Sequence, residues 1–261
     1  MSHPRTPTDM GTNRTGIQTS PFDSKDLIAA ASNAVASPML EPPDFRMAHE
    51  EMNNQAPPVG SMPPPATVKG MAEAVKAALK GDKANVLLDK LGERLAFERS
   101  GTRLYEAFLT KLAASDNPDP TLTREAVQAI HDDELRHFGV AKRALEKVGG
   151  DPTAMTTSAD IAAVASMGLV QVLTDSRTTV TQCLSALLIA ELTDGDAWST
   201  LVRLVEGLGM DDLAAELAEC EDQEELHLAQ VRRWYETAVA GQAGLELVEA
   251  ETEITETTAA H

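Results

Sequence analysis

The stretch HDDELRHFGVAKRAL, residues 131–145, contains the pattern from which the fold follows. Steps of three and four residues through this stretch and its flanks select the row Val127, Ile130, Glu134, His137, Ala141, Ala144 and Val148. Every member is apolar except Glu134 and His137. Residues at this spacing share one face of a helix, so the row predicts an amphipathic helix with one carboxylate and one imidazole on its buried side.

A second row has the same interruption. The stretch EDQEELHLAQVRRW, residues 221–234, belongs to the row Leu213, Leu217, Cys220, Glu224, His227, Val231, Trp234 and Ala238. A glutamate and the histidine three residues later again replace apolar residues. A single Glu-x-x-His motif can arise by chance in so acidic a chain. Two such motifs, each on a predicted buried helix face, arise by chance much less often.

Two further helical segments each place a glutamate on the buried face. FERSGTRLYEAF, residues 97–108, gives the row Leu91, Glu98, Tyr105 and Leu112, with Gly101 one turn after the glutamate. LLIAELTDGDAW, residues 187–198, gives the row Leu184, Leu187, Glu191, Asp194, Trp198, Leu201 and Val205. Tyr105 and Trp198 are interpreted as core residues, with a redox role beside the glutamates as the alternative.

The connections between the helices predict the topology. Helix one is expected at 83–114, helix two from Thr121 or Thr123 to 149–150, helix three at 170–207, and helix four from 211 or 212 to 240. Connections of about six and about three residues make each pair an antiparallel hairpin. The roughly twenty residues between the hairpins, with a short helix at 158–167, can cross the bundle. The expected fold is all-α, with two helix hairpins joined by a long crossover.

This topology brings the polar residues to one level. Glu98 lies about 20 residues before its turn and Glu134 about 15 after it, while Glu191 and Glu224 lie about 18 before and 14 after theirs. At about 1.5 Å per residue, these offsets agree within about a turn. Ionised groups at core positions cost several kcal/mol unless they are paired or bind metal. The pattern therefore predicts a metal site in the core.

The four motifs resemble the ferritin-like di-iron carboxylate superfamily, which includes rubrerythrins, bacterioferritins and ribonucleotide reductase small subunits. The resemblance covers about 85–240, and the pattern around Glu98, Gly101 and Tyr105 is similar to rubrerythrin-type domains. It implies a ferritin-like four-helix bundle with two metal ions, bridged by Glu134 and Glu224. It implies terminal ligands Glu98, Glu191, His137 and His227. Asp194 is a candidate extra carboxylate, with a second-sphere or surface position as the alternative.

The resemblance implies a non-haem di-iron protein that oxidises Fe(II) with O2 or peroxide, in iron handling or oxidative-stress defence. Oxygen and imidazole ligands without thiolate suit iron or manganese better than structural zinc. A manganese catalase-like enzyme, a non-catalytic stress or binding protein, and an oxygenase acting on an organic substrate are the alternatives. The four-cysteine module of rubrerythrins is absent, because the chain has two cysteines, Cys183 and Cys220. Their positions do not favour a disulfide.

Composition limits the partners. With 41 acidic and 22 basic residues, the net charge of −19 argues against nucleic acid or an anionic membrane. The first residues do not form a signal peptide, and no apolar stretch of about 18 residues is evident. We therefore expect a cytoplasmic protein whose partners are metal ions, O2 or H2O2, and a second copy in a homodimer or higher oligomer.

The ends differ from the centre. Eleven of the 14 prolines lie in the first 65 residues, so 1–70 is expected to be a mostly disordered arm with a short helix at 24–36. The bundle is expected at 71–240 and an acidic flexible tail at 241–261. His131 lies at the edge of its row and is a weaker candidate for bonding to a ligand. Off-row glutamates, Glu93, Glu106, Glu221 and Glu225, are interpreted as solvated.

Overall fold

The computed structural model describes residues 25–26, 28–30, 42–57, 59–60 and 83–245. Its helices are α1 (Pro42–Gln55), α2 (Lys83–Ala113), α3 (Arg124–Lys147), α4 (Thr157–Thr174), α5 (Val180–Gly207) and α6 (Asp211–Gln242). All regular structure within the described ranges is helical. The prediction of an all-α chain is therefore confirmed.

Helix α1 belongs to a separate compact unit, residues 5–59, and its side chains from 45 to 55 are exposed. The sequence analysis does not predict this helix, which lies within the expected arm 1–70. Pro42 and Pro43 occupy the first turn, where a helix has no need of their missing N–H groups. Of the helix expected at 24–36, residues 25–26 and 28–30 are helical, and the others lie outside the described residues.

Helices α2, α3, α5 and α6 form two antiparallel hairpins. In the first, His131 of α3 lies 3.7 Å from Glu106 of α2. In the second, Gln242 of α6 donates a hydrogen bond of 2.8 Å to Thr181, at the start of α5. Of the two residues predicted to start α3, Thr121 and Thr123, the structure has Thr123 as the N-cap. Its hydroxyl accepts a hydrogen bond from the Ala126 N–H. The four helices are the bundle that the connection lengths predict.

The crossover between the hairpins is longer and more helical than expected. Helix α4 has 18 residues rather than the ten at 158–167, and α5 begins at Val180 rather than near 170. The apolar period continues through this region and therefore hides the break. The backbone turns extended at Asp175, and a capping box between Thr179 and Gln182 starts the next helix. Local capping thus decides the boundary that periodicity misses.

Helix α4 lies along α2. At its start, the Ser158 N–H donates 2.8 Å to an Asp89 carboxylate oxygen, and at its end Lys111 of α2 donates 2.7 Å to the Asp175 carbonyl. The two helices are therefore parallel. Gly92 permits this approach, since a Cβ atom there would lie 2.4 Å from the Thr156 side chain.

Helix α4 is apolar on most of its circumference, yet most of it is exposed. Ile161, Val164, Met167 and Val170 each expose 43% or more of their surface. Among the described residues, one helix, Thr157–Thr174, is long enough and apolar enough to cross a membrane, judged by length and composition alone. The helix includes Asp160 and Gln171 and is not a continuous apolar stretch, so it does not contradict the expectation from the sequence.

The bundle core consists of two apolar clusters with polar residues between them. One cluster includes Phe108, Leu184 and Trp234, and the other includes Leu91, Leu145 and Leu213. On each of the four bundle helices, the buried row passes from one cluster to the other at a buried glutamate. We call this level the polar layer, which consists of Arg94, Glu98, Glu134, His137, Glu191, Asp194, Glu224 and His227.

Candidate metal centre

All six residues that the sequence predicts as metal ligands lie in the polar layer. Each of the four glutamates exposes at most 2% of its surface, and the two histidines expose at most 5%. Each bundle helix contributes one glutamate, and α3 and α6 each add the histidine one turn later. The structure therefore brings together, at one level, the residues that sequence spacing placed there.

These residues form two overlapping groups. In the first group, which we call the Glu98 half, ligand atoms of Glu98, His137, Glu134 and Glu224 lie within 4.8 Å of one another. In the second, the Glu191 half, ligand atoms of Glu191, His227, Glu134 and Glu224 do so. Glu134 and Glu224 belong to both. Each half can therefore hold one cation, with two carboxylates between the cations.

Within this cluster, Nδ1 of His137 lies 2.6 Å from Oε1 of Glu224, and Nδ1 of His227 lies 3.4 Å from Oε2 of Glu224. The inward atoms of the cluster have no hydrogen-bond partner outside it. They are Oε2 of Glu98, both carboxylate oxygens of Glu134 and of Glu224, Oε2 of Glu191, and Nδ1 of His137 and of His227. All of these atoms are buried. Since a buried polar atom without a partner is costly, their convergence fits a site completed by metal ions.

The outer atoms of the same side chains are bonded. The Trp198 indole N–H donates 2.8 Å to Oε1 of Glu98, and the Tyr105 hydroxyl donates to Oε1 of Glu191. Both aromatic residues are core residues, as the sequence predicts, and each also orients one carboxylate. One oxygen of each carboxylate is thereby held, and the other remains for a cation.

Each histidine is also held from outside. Nε2 of His137 lies 3.1 Å from the side-chain oxygen of Gln223, and Nε2 of His227 lies 3.2 Å from Oδ2 of Asp133. These partners fix the ring orientation and keep Nδ1 directed inward. Sequence reasoning missed Asp133 and Gln223. The available signal was their place immediately before Glu134 and Glu224.

Gly101 makes room for the Glu134 carboxylate. A Cβ atom at position 101 would lie 2.1 Å from Oε2 of Glu134, closer than any real contact. The sequence pattern singled out this glycine one turn after Glu98, and the structure gives the reason. The carboxylate of α3 occupies the space that a side chain on α2 would fill.

Asp194 lies in the polar layer but belongs to neither half. Its carboxylate is 2.7 Å from a guanidinium nitrogen of Arg94, which also donates 3.1 Å to the Asp194 carbonyl. Arg94 Nε lies 3.1 Å from Oε1 of Glu98. This geometry favours a second-sphere position for Asp194 over that of an extra ligand. Sequence reasoning missed Arg94, although it lies one turn before Glu98 on the same helix.

Burial and charge perturb the titration of the cluster. Desolvation, together with the neighbouring carboxylate of Asp194, raises the pKa of Glu98 and of Glu134 well above the ordinary value. Desolvation also raises the pKa of Glu191 to about 8 and that of Asp194 to about 7. Without metal, the cluster therefore retains protons at neutral pH.

Glu224 and His227 respond in the opposite way. Although burial opposes it, hydrogen bonds from the two imidazoles lower the pKa of Glu224 to about 2. Although burial again opposes it, the bond to Glu224 raises the pKa of His227 to about 9. Without metal, these two groups form a buried ion pair.

The weaker candidates lie away from the cluster. His131 contacts Gln128, Asp132 and Glu106, and none of these is a predicted ligand. Both cysteines are buried and free, as the sequence analysis expects. Glu106 and Glu225 are exposed, and Glu93 and Glu221 are half-buried.

Fold and site together define an all-helical bundle of ferritin-like topology around a buried carboxylate–histidine cluster. Among solved structures, the chain is similar to one described as "Crystal structure of ferritin like, diiron-carboxylate proteins from Bacillus anthracis str. Ames". The identity is 18%, the match covers 59% of this chain and 97% of that one, and the TM-score is 0.46. No protein-family model matches the chain, and no curated protein matches it either.

Proposed function

We propose that this chain is a non-haem di-iron protein that oxidises Fe(II) with O2 or peroxide, in iron handling or oxidative-stress defence. The observation that supports it most is the convergence, in two overlapping groups, of buried carboxylate and imidazole atoms that have no partner outside the cluster. In this proposal, Glu134 and Glu224 bridge the two ions. Glu98 with His137, and Glu191 with His227, complete the two coordination spheres.

The charge of the layer suits two divalent ions. Arg94 compensates Asp194, with which it is paired, and so the four glutamates remain to balance two dications. Binding of the ions would replace protons that the apo cluster holds, because the ligands must be ionised carboxylates and neutral imidazoles. The buried charges then have partners, which removes the main cost of the polar layer.

Bound iron would supply the redox chemistry with O2 or peroxide, and the side chains around it have separate tasks. With metal bound, Nδ1 of each histidine would carry no proton, and Nε2 would donate its proton to Gln223 or Asp133. The Tyr105 and Trp198 donors keep the terminal carboxylates in place. The apolar clusters on both sides keep bulk water away from the layer.

Metal analysis and an Fe(II) oxidation assay on the full chain test this proposal. We expect two metal ions per chain and O2 or H2O2 consumption with Fe(II). Glu98→Ala and Glu191→Ala should each weaken or remove one ion. Glu106→Ala, on the same helix as Glu98, and Glu225→Ala, on α6, replace exposed glutamates and serve as controls. Equal effects at all four positions would show that the ligands are misassigned.

Manganese is the main alternative, because oxygen and imidazole ligands suit it as well as iron. A manganese-loaded protein would release O2 rapidly from peroxide, as a catalase-like enzyme does. If chelators leave the stability of the metal-loaded protein unchanged and neither metal supports turnover, the protein would be a non-catalytic stress or binding protein. The same samples distinguish the three outcomes.

We also propose that the protein is cytoplasmic and forms a homodimer or higher oligomer. Two buried free cysteines suit a reducing compartment. The exposed apolar side chains of α4 support self-association, since a helix that is apolar all round is normally covered. Sedimentation of the full chain over a range of concentrations should reveal the oligomer. Val164→Lys, at an exposed position of α4, should shift it toward monomer.

A further inference from the structure

We infer that the two metal positions are unequal and that the Glu191 half takes up the first divalent ion. This inference rests on the proposed function, because it concerns the same cluster. The inference follows from the residues that contact the outer atoms of the ligands. These neighbouring residues differ in charge between the two halves.

The carboxylates differ in their donors. Oε1 of Glu98 receives the Trp198 N–H at 2.8 Å and lies 3.1 Å from the positive Arg94 guanidinium. Oε1 of Glu191 receives the hydroxyl of Tyr105, which is neutral. A cation beside a carboxylate stabilises its negative charge more strongly than a neutral donor does, and so lowers its basicity. Glu98 is therefore the poorer ligand.

The imidazoles differ in their acceptors. Nε2 of His227 faces the carboxylate of Asp133, whereas Nε2 of His137 faces the neutral amide oxygen of Gln223. A carboxylate partner raises the basicity of a metal-binding histidine and strengthens its bond to the metal. His227 is therefore the better ligand, so both comparisons favour the Glu191 half.

Two neighbouring charges reduce this difference without reversing it. Asp194 is paired with Arg94 and offsets part of its charge, but it makes no bond to a ligand of the Glu191 half. Arg136 contacts both Asp133 and Gln223, and so it acts on the outer partners of both histidines. The difference is carried by the groups in direct contact with the ligands, Arg94 beside Glu98 and Asp133 beside His227.

Stepwise loading of the metal-free full chain with Mn(II), followed by electron paramagnetic resonance and equilibrium dialysis, tests the order. In the wild type, we expect the first equivalent to give an isolated Mn(II) signal. The second equivalent should bind at least tenfold more weakly and give a coupled pair. His227→Ala should remove the tight step, while His137→Ala should leave it intact.

Exchange of the outer partners gives a sharper test. Asp133→Asn should weaken the first step by about 10- to 100-fold, the usual effect of losing such a partner. Gln223→Glu should strengthen the second step, and the double variant should reverse the order. Asp132→Asn is the matched control, since Asp132 is exposed and bonds to Gln128 and His131 rather than to a ligand.

The outcomes separate this inference from the proposed function. Two steps of equal affinity in the wild type, or equal loss of both steps in Asp133→Asn, would overturn the inference while the di-metal centre stands. A wild-type chain that binds no Mn(II), Co(II) or Fe(II) in the core would overturn both.

Discussion

The polar layer and the apolar clusters on either side of it occupy the same four helices and are equally buried, but their chemistry is opposite. Phe108, Leu184 and Trp234 stabilise the bundle through burial alone. Glu98, Glu134 and their neighbours instead carry a cost of burial, which protonation and ion pairs reduce in the apo protein and which bound cations would reduce further. The comparison teaches that burial by itself does not indicate a contribution to stability. The clusters stabilise the fold, whereas the layer places costly polar groups in the same core.

The largest effect should follow from replacement of the four residues that α3 and α6 contribute to the metal-binding groups. Replacement of Glu134, His137, Glu224 and His227 together by leucine should abolish Fe(II) oxidation, because both halves lose three of their four ligands. The apo variant should remain folded and unfold at or above the wild-type temperature, since packed apolar groups replace buried charges.

Thermal unfolding of both proteins with and without Fe(II) or Mn(II) provides the measurement. Metal should raise the unfolding midpoint of the wild type but leave that of the variant unchanged. If metal raises both midpoints equally, the layer is not a metal site. A variant that fails to fold would show instead that the layer, like the clusters, maintains the fold.

A substitution in an apolar cluster should have the reverse pattern. Phe108→Ala should lower the free energy of unfolding by about 3–5 kcal/mol, because Phe108 is fully buried and leaves a cavity. The loss should be similar with and without metal, as measured by denaturant unfolding. The exposed Phe45→Ala, in the separate unit that holds α1, is the control and should change little.

The apolar rows and connection lengths were sufficient to predict the bundle and the level of the polar layer. Each ligand candidate interrupts an otherwise apolar row, and this signal survives in a single sequence. The start of α5 was missed because the period of apolar residues continues across Asp175, where capping chemistry ends the helix. Helix α1 is not predicted from the sequence, because proline disfavours helix interiors. Pro42 and Pro43 instead occupy the first turn, where proline is tolerated.

The outer partners were missed for a different reason. Asp133 and Gln223 precede the bridging glutamates by one residue, so they lie off the buried row and have the appearance of solvated side chains. Only the packing of α3 against α6 brings each beside the histidine of the other helix. Arg94 is similar, because its partner Asp194 is 100 residues away. The periodicity of apolar residues along one helix gives no information about which residues of another helix will contact it.

A smaller effect, confined to the layer, is expected at Gly101. Gly101→Ala should displace the Glu134 carboxylate, because the new Cβ would lie 2.1 Å from it. Metal affinity should fall about tenfold or more, while the apo bundle loses little stability. Gly168→Ala is the matched control, since nothing lies within 4 Å of a Cβ there. It should stabilise α4 by about 0.5–1 kcal/mol. Equilibrium dialysis with Mn(II) and thermal unfolding distinguish the two variants.

The smallest effect is a pH dependence that separates the layer from the clusters. Burial raises the pKa values of the titratable groups in the clusters, Cys183, Tyr105 and Cys220, so they remain protonated at neutral pH. Burial raises the pKa of Glu191 to about 8 and that of Asp194 to about 7, so the folded apo protein binds more protons than the unfolded chain between about pH 5 and 8. The stability that these groups contribute is therefore present at low pH and lost as the pH rises through the folded pKa values. The raised pKa of His227, about 9, acts in the same direction, and the lowered pKa of Glu224 affects stability only below this window.

Metal binding has the opposite pH dependence, because cations compete with the protons on the carboxylates and on His227. The unfolding midpoint of the apo protein should fall modestly from pH 5 to 8, while the increase in midpoint caused by Mn(II) should grow over the same range. Differential scanning calorimetry at several pH values, with and without Mn(II), measures both trends. In the quadruple leucine variant the increase caused by Mn(II) should be lost, because each half lacks three of its four residues. The apo trend should persist in weaker form, because Glu191 and Asp194 remain while His227 is absent. An apo midpoint that rises from pH 5 to 8 in the wild type but not in this variant would show that the layer's carboxylates are ionised without metal, contrary to the burial that the structure gives them.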